Sequence, residues 1–388
     1  MKHHLNEENN DEEKQQKQET SITTCVFIPR NLGEPVRKFL LKKGLLNLNL
    51  KVKQEENKLH FPVIRRLEKH ELTELKSITG KKIEEENCYF ETFHSKKRGN
   101  LSSALKEKIP RNLLEFLPKS YDRIGDLIIV EIPETLAPYS QIIGETLLKI
   151  HKVKGVYRKA GKVEGEKRIR KLEPLAGKDD PKTIHVEYGV RLFVDIKTTY
   201  FSPRLGYEHH RIAKQVKSGE TVFDMFTSVG PFAIHIAKNT NATIYATDIN
   251  PHAIDALKKS LTLNKLKGTI ITLLLDAKEA VETLLKNKAD RIIMNLPANA
   301  HEYIEAACTA LKEKGGKIHF YTFIKYEPTA TPPMMTTTRK ETIFEKAETL
   351  LRNTVKTQGR TVEKILNKHL VKTTAPFQEQ VVLDALIT

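Results

Sequence analysis

Short apolar runs and amphipathic stretches alternate along most of this 388-residue chain. Near the amino terminus, CVFIP from Cys25, helical spacing over Gly33 to Leu45, LNLKVKQ from Leu48 and LHFPVI from Leu59 predict a small α/β module. The charge-dense stretch Glu84 to Gly99 reads as a connection. DRIGDLIIVEIP from Asp122 predicts a buried strand, Tyr139 to His151 a helix, and KTIHVEYG and RLFVDIK further strands. From Glu208 the pattern becomes strict alternation. Helices over Glu208 to Val216, after Pro231, and over His252 to Leu263, Ala277 to Asn287 and His301 to Lys314 separate the strands TVFDMF, TIYATD, TIITLLLD, RIIMNLP and KIHFYTFI. That order predicts a doubly wound, Rossmann-like parallel sheet. The expected domains are a disordered polar tail over 1–21, a small α/β domain over 22–85, a linker over 86–103, a middle α/β domain over 104–200 and the doubly wound domain over 201–388.

Charge narrows the class of partner. Lys and Arg number 65 against 49 Asp and Glu, a net charge of +16, which favours a polyanion such as nucleic acid or an acidic membrane surface. The longest apolar runs, Leu127 to Val130 and Ile270 to Leu275, are strand-sized, so no span of a membrane is expected. Met1 to Ser21 has no apolar signal core and too many acids for a transit peptide. Cys25, Cys88 and Cys308 are odd in number and far apart in sequence. They predict no disulfide framework and no metal site, and point to a reducing cytoplasm.

In a sheet of this kind, ligands sit at the carboxyl ends of the strands. Four successive ends carry Asp224 with Thr227 to Gly230, then Asp248, Asp276 and Asn295. The turn D-M-F-T-S-V-G-P-F holds one glycine before a helix-starting proline, so the G-x-G-x-x-G of a dinucleotide site is missing. An acid ending the second strand suits ribose hydroxyls, and one ending the third suits the amine of adenine. Together they predict an adenosine without phosphate. Singly, each is as well read as a turn or helix cap. Asn295-Leu296-Pro297 offers a side-chain amide and backbone carbonyls to the edge of a planar nitrogenous substrate, or is an ordinary turn. Upstream, Tyr200 to Glu208 brings aromatic, cationic and acidic groups to the same edge.

These strings resemble the tRNA guanine-37 N1-methyltransferases of archaea and eukaryotes. The match rests on Tyr121 to Asp126, G-E-x-R-x-R at Gly165 to Arg170, Y-F-S-P-R-L at Tyr200 to Leu205, D-M-F-x-x-V-G-P-F at Asp224 to Phe232, and N-L-P at Asn295. The resemblance implies an S-adenosylmethionine-dependent enzyme, a tRNA partner held by a small amino-terminal domain, and a monomer. It implies Glu208 as the base that removes the guanine N1 proton, Arg168 as the partner of O6 with Arg170 as second choice, and Asn295 and Pro297 at the guanine edge. Tyr200, Arg204, Asp224, Phe226, Gly230, Asp248 and Asp276 would surround the cofactor. Thr227-Ser228 departs from the family's Ala-Gly, His209 from its arginine, and Lys167 from an aromatic.

Two other functions compete. A relative that transfers an aminocarboxypropyl group to a wyosine precursor typically lacks the Asn of N-L-P and the tRNA-corner module, both present here. Some methyltransferases of this kind also act on a wyosine intermediate. A non-catalytic RNA-binding protein is the reading from another class, and retention of Glu208, Asn295 and the three strand-end acids argues against it. The basic stretch Lys149 to Lys171 is a candidate surface for RNA phosphates.

Overall fold

The computed structural model describes residues 20–81, 83–91, 100–165, 169–327, 337–375 and 377–388. The chain divides into two compact units, Met1–Arg98 and Gly99–Thr388.

In the first unit, β1 (Thr20–Pro29), α1 (Gly33–Lys42), β2 (Lys53–Glu55), β3 (Lys58–Pro62), α2 (Lys69–Thr79) and β4 (Glu84–Glu91) build an antiparallel sheet of order β2-β3-β1-β4. Val26, Ile28 and Phe61 on one face pack with Val36, Phe39, Leu40 and Leu75 of the helices. Helix α2 starts at a capping box between Glu68 and Glu71 and stops at left-handed Gly80. Three expectations change here. The strand β1 begins inside the stretch assigned to the tail. The connection expected from Glu84 is strand β4 as far as Glu91, where four acids, on both faces, accompany the buried Cys88 and Phe90. Cys25 and Cys88, distant in sequence, are joined by a disulfide, because the β1–β4 register sets Cys25 opposite Glu86 and so diagonally across from Cys88 on the same face.

The second unit opens with α3 (Leu101–Leu105), β5 (Tyr121–Ile124), β6 (Leu127–Val130), α4 (Ser140–His151), β7 (Gly155–Glu164) and β8 (Ile169–Gly177), with sheet order β5-β6-β7-β8. The single strand expected from Asp122 is a hairpin. Gly125 turns it at φ 55°, where a Cβ would stand 2.2 Å from Thr183 Oγ1. A second hairpin, β9 (Lys182–Glu187) and β10 (Val190–Asp195), leads into the large sheet.

That sheet takes in α5 (Gly206–Ala213), β11 (Thr221–Asp224), α6 (Pro231–Asn239), β12 (Thr243–Thr247), α7 (Pro251–Thr262), β13 (Thr269–Leu273), α8 (Ala277–Ala280), β14 (Arg291–Met294), α9 (Ile304–Ala310), β15 (Gly316–Lys325), α10 (Thr337–Thr357), β16 (Val362–Ala375) and β17 (Gln378–Ile387). Its order is β13-β12-β11-β14-β15-β17-β16. The first five strands are parallel and the last two antiparallel, so a doubly wound sheet carries an antiparallel edge absent from the expectation. The order reverses direction between β11 and β14, which is where a ligand crevice opens. No packing boundary falls at residue 200. Ile124, Leu127, Tyr157 and Leu172 share one apolar core with Val222, Phe232 and Ile244. Among the described residues no helix is long and apolar enough to cross a membrane.

Candidate active site

A cavity of about 850 Å³ lies at the carboxyl ends of β11 to β14. Seven of the residues expected from sequence line it: Arg170, Tyr200, Phe226, Asp248, Asp276, Asn295 and Pro297. Gly165, at the turn from β7 to β8, also reaches its wall. Arg168 lies outside the described residues.

The strand-end acids differ in state. Asp248 accepts from the Ser228 N–H at 2.8 Å and the Asn250 N–H at 2.9 Å, and burial still pushes its carboxyl above the ordinary range. Asp224, which directly precedes the cavity residues Met225 and Phe226, is wholly buried. Burial and the nearby Asp248 raise its pKa to about 7, against the opposing hydrogen bond from Thr227 Oγ1 at 2.8 Å. Its Oδ1 is buried without a partner among the described residues. Asp276 caps α8 by accepting from the Lys278 N–H at 2.7 Å and takes a second bond from the Tyr303 hydroxyl at 3.2 Å. The cap and the cavity wall are thus the same residue, and the two readings of it coexist.

Thr227 and Ser228 are absorbed into this framework. The threonine hydroxyl is spent on Asp224, and the serine hydroxyl on the Tyr200 carbonyl. Across the cavity, Asn295 Oδ1 lies 3.5 Å from Gln380 Nε2 of β17, so two side-chain amides sit together on the wall. Two backbone carbonyls of the Asn295-Leu296-Pro297 turn already have partners within the chain. Leu296 C=O accepts from the N–H groups of Asn299 and Ala300, and Pro297 C=O from that of Phe323.

Besides Asp224, three expected site residues are not on the wall. Gly230 serves the chain itself: its φ is 81°, and a Cβ there would meet Leu257 Cδ1 at 2.2 Å. Arg204 faces a smaller neighbouring cavity of about 250 Å³, its Nε bonded to Asp122 Oδ1 at 2.7 Å. Glu208 is buried in α5, where its carboxylate accepts from Arg211 at 2.9 Å, the Tyr321 hydroxyl at 2.9 Å and His369 Nε2 at 2.7 Å. Burial is the largest single influence and raises its pKa, but His369 and Arg211 together outweigh burial and hold the value at about 2. In this arrangement Glu208 is a poor proton acceptor, contrary to the expectation from sequence.

Comparison with known proteins places this geometry. Residues 183–350 match the TRM5/TYW2 methyltransferase domain, 101–180 the TYW2 N-terminal domain and 25–71 the tRNA methyltransferase 5 N-terminal domain. The tRNA (guanine(37)-N(1))-methyltransferase Trm5b of Pyrococcus abyssi is 40% identical over 78% of this chain and 84% of its own length; its Methanocaldococcus jannaschii counterpart is 41% identical over 78% and 87%. The chain belongs to the TRM5/TYW2 methyltransferase family. Within it, the tRNA(Phe) (4-demethylwyosine(37)-C(7)) aminocarboxypropyltransferase of Pyrococcus horikoshii is 33% identical over 72% of the chain and 93% of its length. Among solved structures, P. abyssi Trm5b superposes with a TM-score of 0.64 at 36% identity, covering 94% of this chain and 99% of its own. A complex of aTrm5 with tRNALeu gives 0.63 at 36% identity, covering 94% and 99%, and M. jannaschii Trm5 with adenosine gives 0.58 at 36%, covering 93% and 98%.

S-adenosylmethionine is the cofactor of this family, and the residues of this TRM5/TYW2 member fit it. Its sulfonium and ammonium are cations, and Asp224, whose Oδ1 is buried without a partner among the described residues, together with the half-buried Asp248 makes an acidic pair that a nearby cation relieves. Asp248 and Asp276 remain on the wall with lone pairs to spare for an adenosine. Reading the sequence missed Gln380, Lys372 and Thr374, all on the β16–β17 hairpin, and Tyr303, whose ring meets Phe226 edge-on at 4.9 Å. The apolar run VVLDALI from Val381 was the available signal for β17.

Proposed function

We propose that this chain methylates N1 of guanosine 37 in tRNA, working as a monomer in the cytoplasm. The observation that carries the reading is one cavity holding both halves of the chemistry: Asp248 and Asp276 for an adenosine, and the Asn295–Gln380 amide pair for a guanine edge. The match of residues 25–71 to the tRNA methyltransferase 5 N-terminal domain and the 40% and 41% identities to Trm5b favour methyl transfer over the aminocarboxypropyl relative at 33%.

Bound S-adenosylmethionine supplies an electrophilic methyl group. Guanine N1 carries a proton and attacks only as that proton leaves, so the residues have two tasks: holding the ring edge and taking the proton. Asn295 and Gln380 present amide oxygens and N–H groups to the base, and Arg170, on the same wall, offers a positive donor for charge building on O6. Arg168, two residues earlier in the same motif, is the other candidate for O6. Glu208 takes the proton only where guanine N1–H displaces the bonds from Arg211 and His369. Because the target base stacks within an anticodon loop, it is turned out before it enters the cavity.

The test is nucleoside mass spectrometry of tRNA incubated with the protein and labelled cofactor. One added methyl on guanosine 37 supports the proposal; the heavier, acidic aminocarboxypropyl adduct on a wyosine precursor replaces it. For the base, Glu208→Gln should lower kcat by about 10²- to 10⁴-fold with the melting temperature held. A fall in melting temperature with kcat within a few-fold of wild type would reduce Glu208 to an anchor of the fold.

A further inference from the structure

Among the described residues of the first unit, no helix covers the second face of the sheet with a core. On it Cys25, Leu50, Cys88 and Phe90 form a small buried cluster with Phe27 packed alongside, against eleven buried residues on the helical face. A patch of that size has little apolar area to hold three strands together, and small domains in this position use a covalent or metal staple. The polar groups gathered there are specific. Cys25 on β1, His60 on β3, and Glu86 and Cys88 on β4 come from three adjacent strands with their side chains on one face.

We propose that the dithiol form of Cys25 and Cys88, with His60 and Glu86, binds one zinc ion. His60 Nδ1 lies 3.8 Å from Cys25 Sγ, 3.6 Å from Cys88 Sγ and 3.5 Å from Glu86 Oε1, and Cys88 Sγ lies 3.4 Å from Glu86 Oε1. Zinc bonds of about 2.0–2.3 Å in a tetrahedron set donor-to-donor edges of about 3.4–3.8 Å. These four donor separations fall on that scale, and the two sulfurs, bonded to each other in the disulfide, part on reduction to complete the tetrahedron. Two thiolates and an imidazole are the donor set that selects zinc over calcium or magnesium. The other ring nitrogen, His60 Nε2, points at Glu55 Oε2 at 3.5 Å, the carboxylate behind a ligating histidine that fixes its ring and tautomer. Phe27 stacks on the ring at 5.5 Å. Cys25 is fully buried and His60 nearly so, while Glu86 stands half-exposed and closes the site from the solvent side.

Metal binding and the disulfide are alternatives, since each uses both sulfurs. Zinc displaces the two thiol protons, so binding releases them to solvent and strengthens as pH rises toward the thiol range. The dithiol state is the relevant one where tRNA is modified, because a glutathione- and thioredoxin-rich compartment keeps thiols reduced. That step rests on the proposed function; the metal-binding chemistry does not.

The full-length protein, reduced with a water-soluble phosphine and freed of metal, is titrated with Co²⁺ and then Zn²⁺. One cobalt per chain is expected, with thiolate-to-cobalt charge-transfer bands and the visible bands of a tetrahedral ion, both lost when zinc displaces it. Cys308, buried in α9, lies outside the cluster and supplies no second thiolate. Glu55→Gln should weaken binding about 10- to 100-fold, and His60→Gln by more. The wild-type cobalt spectrum reports thiolate ligands directly, so the conclusion survives even if a Cys25→Ser, Cys88→Ser double variant fails to fold. Reduced protein that takes up no stoichiometric metal, or a folded double variant that binds cobalt as tightly as wild type, overturns the proposal. Neither outcome touches methyl transfer, which is read on tRNA.

Discussion

At the scale of single residues, Asp224 makes the sharpest demand. It is buried without relief for Oδ1, and its pKa is raised to about 7. The sign follows from linkage: a carboxyl whose folded pKa exceeds its unfolded value stabilises the free protein at low pH, and that contribution is lost as pH rises through the folded value. A cationic ligand reverses this, because it interacts best with the ionised form. Affinity for S-adenosylmethionine should therefore rise by up to about tenfold per pH unit below pH 7 and level off above it. Neutral adenosine should show little of this slope, and Asp224→Asn should flatten it. Isothermal titration from about pH 6 to pH 8 decides the matter. Equal slopes for the two ligands would mean that Asp224 does not meet the charged end. Thr227 bears on the same point, since its hydroxyl lowers the carboxyl where burial raises it. The departure from Ala-Gly thus tunes the acid from below and leaves the cavity wall to Ser228.

At the scale of elements, a run of buried charges joins α5 to three strands. Arg291 on β14 bonds Glu220 at 2.7 Å and His319 Nε2 at 2.8 Å; His319 Nδ1 meets Asp384 Oδ1 on β17 at 2.6 Å; Asp384 pairs with Arg211, and Arg211 with Glu208. Arginine can only donate, so His319 accepts at Nε2 and donates at Nδ1, a neutral tautomer in keeping with the burial that lowers its pKa. Asp384→Asn leaves Arg211 short of a counter-charge in the interior and should destabilise the fold by about 3 kcal/mol. Denaturant unfolding at neutral pH measures it, and a change below 1 kcal/mol would show that solvent or relaxation compensates the pair. This network also explains what could be read from the sequence. Strand-end acids announce themselves, because an Asp after an apolar run marks both a turn and a ligand edge. Partners set by sheet register do not. Gln380 reaches Asn295, and Cys88 reaches Cys25, only through pairings that no local pattern encodes. Likewise Glu208 reads as a free first-turn acid until Tyr321, His369 and Arg211 are folded around it. Strand β4 was hidden because its four acids outnumber its two buried side chains.

At the scale of the whole molecule, the net charge of +16 has to be separated from the local basic stretches. In the Lys149 to Lys171 region several cations already have acids: Lys154 with Asp180, Arg158 with Glu173, and Lys159 with Glu131. Such surface pairs are weak, so a polyanion can exchange for them, but they make the density of basic residues a poor map of a phosphate track. The excess charge acts as a field that draws tRNA in, and its signature is the release of condensed counterions. Binding of unmodified tRNA should weaken steeply with salt, by on the order of 10³-fold between about 50 and 200 mM for about six phosphate contacts. The cofactor should behave otherwise. Asp224 is buried and Asp248 half-buried, and ions screen such groups far less than exposed ones, so S-adenosylmethionine affinity should move little over the same range. Fluorescence anisotropy with labelled tRNA, run beside calorimetry with the cofactor, separates the two slopes. A shallow slope for tRNA would mean that recognition rests on shape and base contacts rather than on the charge excess, and a steep slope for the cofactor would mean that its acids stand open to solvent.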